Sequence, residues 1–403
     1  MNTKLLIYSS LLIGFLLIVG CEYEAPTSLW DPDEAGLAPT AVIDEIIPPN
    51  EAAGGANEIE ILGSNFASDL ADNVVYFGNV QAELISAESG KLLLYRPNLV
   101  AENIAVKVLV PGALMIAKVT PYTITPVLEN YTEDFNDTGN LRAFAIDRDG
   151  TYYVIMRDKT IRRRSTDSKK EEEIGEVSQR SIGRLRFGPD GNLYYIRANN
   201  TNMYKFFLDS LIDVQYAVFP GNVNVFDFDE NGIAYVGGNG QGLLAMKSPD
   251  DISQADDYTQ FNILAIRVYQ GAVYVLAETL GNDELPLYAI WRNIITGDGT
   301  LSERELFLDW SATEYGEAGA IPADIEFASD GALLISSDFE QPIILVSNGW
   351  MRPLYKEMIS GPVTQLDWGP GDYLYFFSDV SSVQEKNVFK ADMGQPGAPH
   401  YGR

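Results

Sequence analysis

The chain holds one cysteine, Cys21, and one histidine, His400, so the side chains most used for nucleophilic and metal chemistry each occur once. Cys21 ends an apolar run and His400 lies in a Gly/Pro-rich C-terminal stretch. A Ser/His or Cys/His nucleophile pair is therefore not expected to assemble within the fold. Histidine-ligated zinc, haem and iron sites are not expected for the same reason. The glycines punctuate strand-like runs, and no Gly-rich phosphate loop opens a helix. Carboxylate chemistry or an all-oxygen metal site remains, but with 57 Asp and Glu residues the residue type selects none of them. No catalytic residue is assigned, no cofactor is expected, and the metal question stays open.

One polar set does stand out by spacing. Six apolar pairs two residues apart, Phe144/Ile146, Leu185/Phe187, Phe226/Phe228, Ile266/Val268, Ile325/Phe327 and Leu366/Trp368, each flank one residue. Those flanked residues are Ala145, Arg186, Asp227, Arg267, Glu326 and Asp367, and Arg184, Asp324 and Gln365 form a second tier. Two arginines among three acids admit two readings. Neighbouring opposite charges can satisfy one another as structure. They can also line a pocket that orients a small zwitterion or sugar by directed hydrogen bonds.

Each flanked residue precedes a turn, and the turns recur. They are Asp147-Arg148-Asp149-Gly150, Gly188-Pro189-Asp190-Gly191, Asp229-Glu230-Asn231-Gly232, Tyr269-Gln270-Gly271, Ala328-Ser329-Asp330-Gly331 and Gly369-Pro370-Gly371-Asp372. Their last glycines, with Gly371 in the sixth, are spaced 41, 41, 39, 60 and 40 residues apart. A period near forty with four strand-like segments per unit predicts a β-propeller of six blades, and the long interval predicts an insertion in blade four. Inner strands line a propeller axis, so the polar column is predicted to face the central channel. The Asp/Gly turns lack the other ligands of a calcium loop and read as turns. After residue 391 too little chain remains to finish blade six, so residues 125–135 are predicted to supply its fourth strand. Blade four's insertion enlarges one loop face, and Trp310 and Tyr315 on it are candidate partner anchors, with burial against neighbouring blades as the alternative.

Segments such as Gly188-Pro189-Asp190-Gly191-Asn192-Leu193-Tyr194-Tyr195 resemble the start of an NHL or TolB-like propeller repeat, although the Asn-His-Arg signature of NHL blades is missing. Six-bladed sugar-lactone hydrolases bind a divalent metal through acidic and Asn ligands, so the resemblance keeps a metal-dependent propeller hydrolase as an alternative. No ligand set here matches that family residue by residue.

Upstream, Lys4 precedes a nearly uninterrupted apolar stretch over residues 5–20, the layout of a secretory signal. Sixteen residues of helix span about 24 Å, short of a hydrocarbon core of roughly 30 Å. Ile18-Val19-Gly20-Cys21 resembles the bacterial lipobox, which implies cleavage before Cys21 and lipid on that cysteine. With Cys21 so used, no disulfide can form. Residues 22–38 are rich in Pro, Ala, Asp and Glu and read as a solvated tether.

From Pro39 onward short β-branched runs at 58–62, 74–77, 92–95 and 106–110 alternate with turn residues, as in a small β-sandwich. Pro39-Thr40, Pro48-Pro49, Gly54-Gly55, Gly63-Ser64-Asn65-Phe66, Val75-Tyr76-Phe77-Gly78 and Arg96-Pro97 follow the pattern of IPT/TIG immunoglobulin-like domains. The resemblance covers about residues 39–126 and implies a spacer or contact module without catalytic residues.

The expected fold class is all-β: an immunoglobulin-like β-sandwich followed by a six-bladed β-propeller. The expected organisation is a signal peptide over residues 1–20, lipidated cysteine and tether over 21–38, IPT/TIG domain over 39–126, propeller over 127–393 and tail over 394–403. A formal charge of −29 repels nucleic acid and anionic surfaces. The sequence thus predicts a protein of the bacterial cell envelope, held by lipid to a membrane, with the outer membrane, on its periplasmic or outer side, the favoured one and the choice of membrane and leaflet open. It would bind or scaffold an envelope protein or glycan, and an enzyme is the lesser reading.

Overall fold

The computed structural model describes residues 38–133, 138–166, 170–380 and 385–401. The expected signal peptide, Cys21 and residues 22–37 of the expected tether lie outside the described residues.

The first unit is a two-sheet sandwich. One sheet orders Val42–Ile47, Glu58–Ser64, Lys91–Tyr95 and Leu84–Glu88; the other orders Glu51–Ala52, Ala117–Ile124, Ala101–Leu109, Val74–Phe77 and Val80–Ala82. Alternation explains the packing, since every second side chain of a strand faces one side. Ile59, Ile61, Leu92, Leu94, Val106 and Val108 point into a common core with Phe77 and Tyr122. Phe66 plugs this core, and Asn65 before it takes a positive φ of 62°. Gly63 has no room for a Cβ, which would stand 1.9 Å from the Val42 carbonyl oxygen.

Six further sheets form the propeller. The inner strands are Leu141–Ile146, Ile182–Phe187, Val225–Phe228, Phe261–Tyr269, Pro322–Phe327 and Val363–Trp368, each paired antiparallel with the next strand of its blade. The Asp/Gly turns join first to second strands. Asp229 Oδ1 accepts from the amides of Asn231 and Ile233, both at 2.9 Å, and Gly232 takes φ 81°. Asp147 does the same for Asp149 and Thr151. The carboxylates are committed to the backbone, as an Asx turn requires.

Ring closure follows the expectation. Leu128–Asn130 pairs antiparallel with Glu385–Asp392, with Leu128 opposite Ala391 and Asn130 opposite Phe389, and becomes the outer strand of blade six. Tyr131 then wedges between blades six and one, its ring 5.3 Å from Tyr375 and 5.7 Å from Tyr152, both edge-on. Blade four absorbs the long interval through a hairpin extension, Tyr288–Gly297 with Thr300–Leu301, and a helical turn, Glu314–Glu317, before blade five.

One end of the sandwich docks on blade five. Asn57 Nδ2 donates to the Pro353 carbonyl at 3.0 Å while its Oδ1 accepts from the Tyr355 amide at 2.5 Å. Glu58 pairs with Arg352, and the Tyr355 hydroxyl bridges the Gly55 amide and the Asp392 carbonyl. The opposite end carries Val42, Ser64 and the loop at 110–116, as the pairings Val42↔Ser64 and Val74↔Leu109 require.

Candidate functional site: the propeller channel

Because side chains alternate along a strand, the residue between two core-facing neighbours must face the axis, where water is scarce. Arg184, Arg186, Asp227, Arg267, Asp324, Glu326, Gln365 and Asp367 are all buried, and Ala145 closes the column as its one apolar member. Charges so placed persist only if paired. Arg267, fully buried, donates from Nε to Glu326 Oε1 at 2.6 Å and from Nη1 to Asp227 Oδ2 at 3.1 Å. Arg184 Nη1 reaches Asp324 Oδ2 at 2.5 Å, and Arg186 Nε lies 3.5 Å from Asp227 Oδ1.

The acids also knit successive blades. Asp227 Oδ2 accepts from the Val268 amide of blade four at 2.8 Å, and Asp324 Oδ2 from the Leu366 amide of blade six at 2.8 Å. Asp367 Oδ2 accepts from the Ile146 amide of blade one at 3.2 Å, while Gln365 Nε2 donates to the Phe144 carbonyl at 2.7 Å. Burial alone would raise the Asp227 carboxyl, but Arg186 and Arg267 outweigh it and hold that group below the ordinary carboxylate range. Burial likewise opposes the charges of Arg184 and Arg267, yet Asp324 in the first case, and Glu326 with Asp227 in the second, raise both guanidinium groups. Arg186 goes the other way, lowered by burial and by repulsion from Arg184.

His400 corrects the sequence reading. Its Gly/Pro-rich surroundings placed it outside the fold, but the structure threads the tail over blade five and into the channel. Ser329 N donates to the Pro396 carbonyl at 3.0 Å and Ala398 N to the Phe327 carbonyl at 2.8 Å. Gly397 lies against Trp368, where a Cβ would stand 2.1 Å from the indole Cγ, so only glycine passes. Arg267 Nη2 donates to the carbonyls of Pro399 at 2.9 Å and Ala398 at 3.3 Å. His400 Nδ1 then meets Arg186 Nη1 at 3.1 Å, and Nε2 lies 3.1 Å from Glu326 Oε2 and 3.6 Å from Asp367 Oδ1. Arginine has only donors, so Nδ1 accepts and the ring proton sits on Nε2, facing the carboxylates.

His400, Glu326 and Asp367 also form a possible metal set among the described residues, with one donor atom of each within 4.8 Å of the others. A histidine and two carboxylates suit a small divalent ion by donor type. Arg267 and Arg186 already supply positive charge to these same groups, so a cation would have to compete with the guanidinium groups.

Trp310 and Tyr315 are the second correction. Trp310 is 0% and Tyr315 6% exposed, their rings stack 6.0 Å apart, and Trp310 Nε1 donates to the Ala320 carbonyl at 2.8 Å. Tyr315 packs edge-on against Phe339 of blade five. Both rings fasten the loop to the propeller and present no rim to a partner.

Residues 41–125 match the family model for the IPT/TIG domain. The chain is an immunoglobulin-like β-sandwich, similar to IPT/TIG domains, followed by a β-propeller. Among solved structures it is similar to a Bacteroides thetaiotaomicron protein of unknown function, at 15% identity and a TM-score of 0.51, covering 90% of this chain and 99% of that one. An auxiliary nutrient binding protein from Bacteroides ovatus is similar at 14% identity and a TM-score of 0.50, over 90% and 98% of the two chains. A virginiamycin B lyase from Staphylococcus aureus gives 14% identity and a TM-score of 0.45, over 65% and 97%. No curated protein matches the sequence. At these identities the likeness is one of fold.

Proposed function

We propose that this is a lipid-anchored protein of the bacterial cell envelope that binds or organises a partner through the outside of its propeller. The observation that carries the reading is the state of the channel. Most of its charged column is engaged in blade-to-blade bonds and ion pairs, and the tail brings His400 onto the axis. An axis filled by the tail and cross-linked between blades acts as a structural hub and leaves the exterior to meet other molecules, although Arg186 Nε and Nη2 and Glu326 Oε2 accept or donate no hydrogen bond among the described residues. The outermost strand of blade two, Ile212–Val223, exposes Ile212, Val214 and Val218. Exposed apolar side chains on an edge strand suit a protein partner. The fold-level likeness to an auxiliary nutrient binding protein agrees with a binding role and is an analogy. The lipobox-like Ile18-Val19-Gly20-Cys21 supports the anchor.

Two measurements test this. Cys21→Ser is expected to abolish metabolic lipid labelling and leave uncleaved or released protein; unchanged labelling and membrane retention would refute the anchor. Val214→Lys with Val218→Lys is expected to weaken partner capture from solubilised membranes while the melting transition stays put. Full capture by that folded variant would move the contact to another surface.

A further inference from the structure

The sandwich carries an exposed apolar tip that its own packing does not use. In the loop between Ala101–Leu109 and Ala117–Ile124, Leu114, Met115 and Ile116 are 67%, 67% and 53% exposed, consecutive and unshielded. A monomer gains nothing from three such side chains side by side in water.

Three observations identify what covers them. The loop stands at the sandwich end opposite the propeller, since Glu58 and Asn57 hold blade five while Ser64 and Leu109 lead to the other end. The chain that carries Cys21 joins the described fold at that same end, where Ala38 bridges Ala113 and its amide donates to the Gly112 carbonyl. The segment between Cys21 and Ala38 reaches at most about 60 Å when fully extended. Charge agrees as well. No Asp or Glu occurs from Asn103 to Leu128, although the chain has 57 among 403 residues, and this stretch carries Lys107 and Lys118. The adjoining turn does hold Asp69 and Asp72 beside exposed Leu70, which limits the contact to a shallow one.

We infer that Leu114, Met115 and Ile116 dip into the lipid surface to which Cys21 is anchored, so that the sandwich stands on the membrane and carries the propeller at its far end. This rests on the anchored reading above. A covalent lipid alone tethers a protein at any angle; a second, apolar contact at the domain tip fixes its orientation. The acid-free stretch lessens the repulsion that the rest of this strongly negative chain would meet at anionic headgroups.

The test uses the full lipidated chain. Because Cys21 is its only cysteine and its thiol carries lipid, Met115→Cys creates one labelling site. An environment-sensitive fluorophore at that position, in vesicles of phosphatidylethanolamine and phosphatidylglycerol, is expected to emit blue-shifted light and to be quenched by nitroxide lipids. The same label at Val218→Cys on blade two should behave as in water. A water-like signal at position 115 from protein that floats with the vesicles overturns the inference and leaves the anchor standing. Failure of the parent chain to float removes both. Cross-linking from position 115 in cells to a protein instead of phospholipid also overturns it.

Discussion

His400 Nε2 lies 3.1 Å from Glu326 Oε2, so the C-terminal stretch around His400 is tied to the inner strand of blade five inside the channel. The same imidazole accepts from Arg186 of blade two, and the preceding carbonyls hold Arg267 of blade four. The tail is therefore an interior part of the ring.

His400→Ala is expected to cost about 1–3 kcal/mol, since it strips a partner from a buried carboxylate. Truncation before Gln395 should cost more, because Arg267 also loses two carbonyl acceptors and Trp368 its cover. Differential scanning calorimetry reads both. If the channel is an ion-pair network, chelator treatment of the parent leaves its transition in place; a chelator-induced drop of the same size would favour the metal-dependent hydrolase.

Asp227 fixes a pH dependence. Its carboxyl is held below its ordinary value of 3.8, so the stability it contributes is complete above about pH 4 and is lost as pH falls through the lower folded value. Urea denaturation at pH 7, pH 4 and pH 3 should show this loss only in the acid range. In Asp227→Asn stability should be lower at pH 7 and the acid loss smaller. A parallel decline in both proteins would deny the group this role.

The clasp gives a sharper test of closure. Tyr131→Ala removes a ring that touches Tyr152 and Tyr375 and that Arg164 covers at 4.3 Å. The expected loss is about 3 kcal/mol, the range for deleting a buried aromatic. Deleting residues 125–137 should go further and abolish cooperative unfolding, because the outer edge of blade six is then left unpaired.

Trp310 separates anchoring of a loop from binding. Trp310→Ala is expected to lower stability by about 3–5 kcal/mol. Replacing residues 311–320 with a Gly/Ser linker should also lower the melting temperature, since Tyr315 and the Ala320 carbonyl leave with it. Unchanged melting of the linker variant would return these aromatics to the partner face.

What the sequence determined by itself was whatever short-range chemistry dictates. Asp229 and Gly232 specify their turn through a side-chain acceptor and a positive φ, both within four residues, so the forty-residue period was visible. Alternation placed Asp227 between Phe226 and Phe228, which put the charge on the axis once the strand was recognised. The missing fourth strand of blade six was a matter of counting.

Only the tertiary structure decided the rest, because those contacts span long separations and leave no local pattern. His400 meets Arg186 across 214 residues, in a tail without periodicity whose only trace was the small pair Gly397 and Ala398. Trp310 reads equally well as rim or core until Phe339 of the next blade covers Tyr315. Which amide of the neighbouring blade each channel carboxylate reaches likewise depended on blade-to-blade distance, which is fixed only when the ring closes.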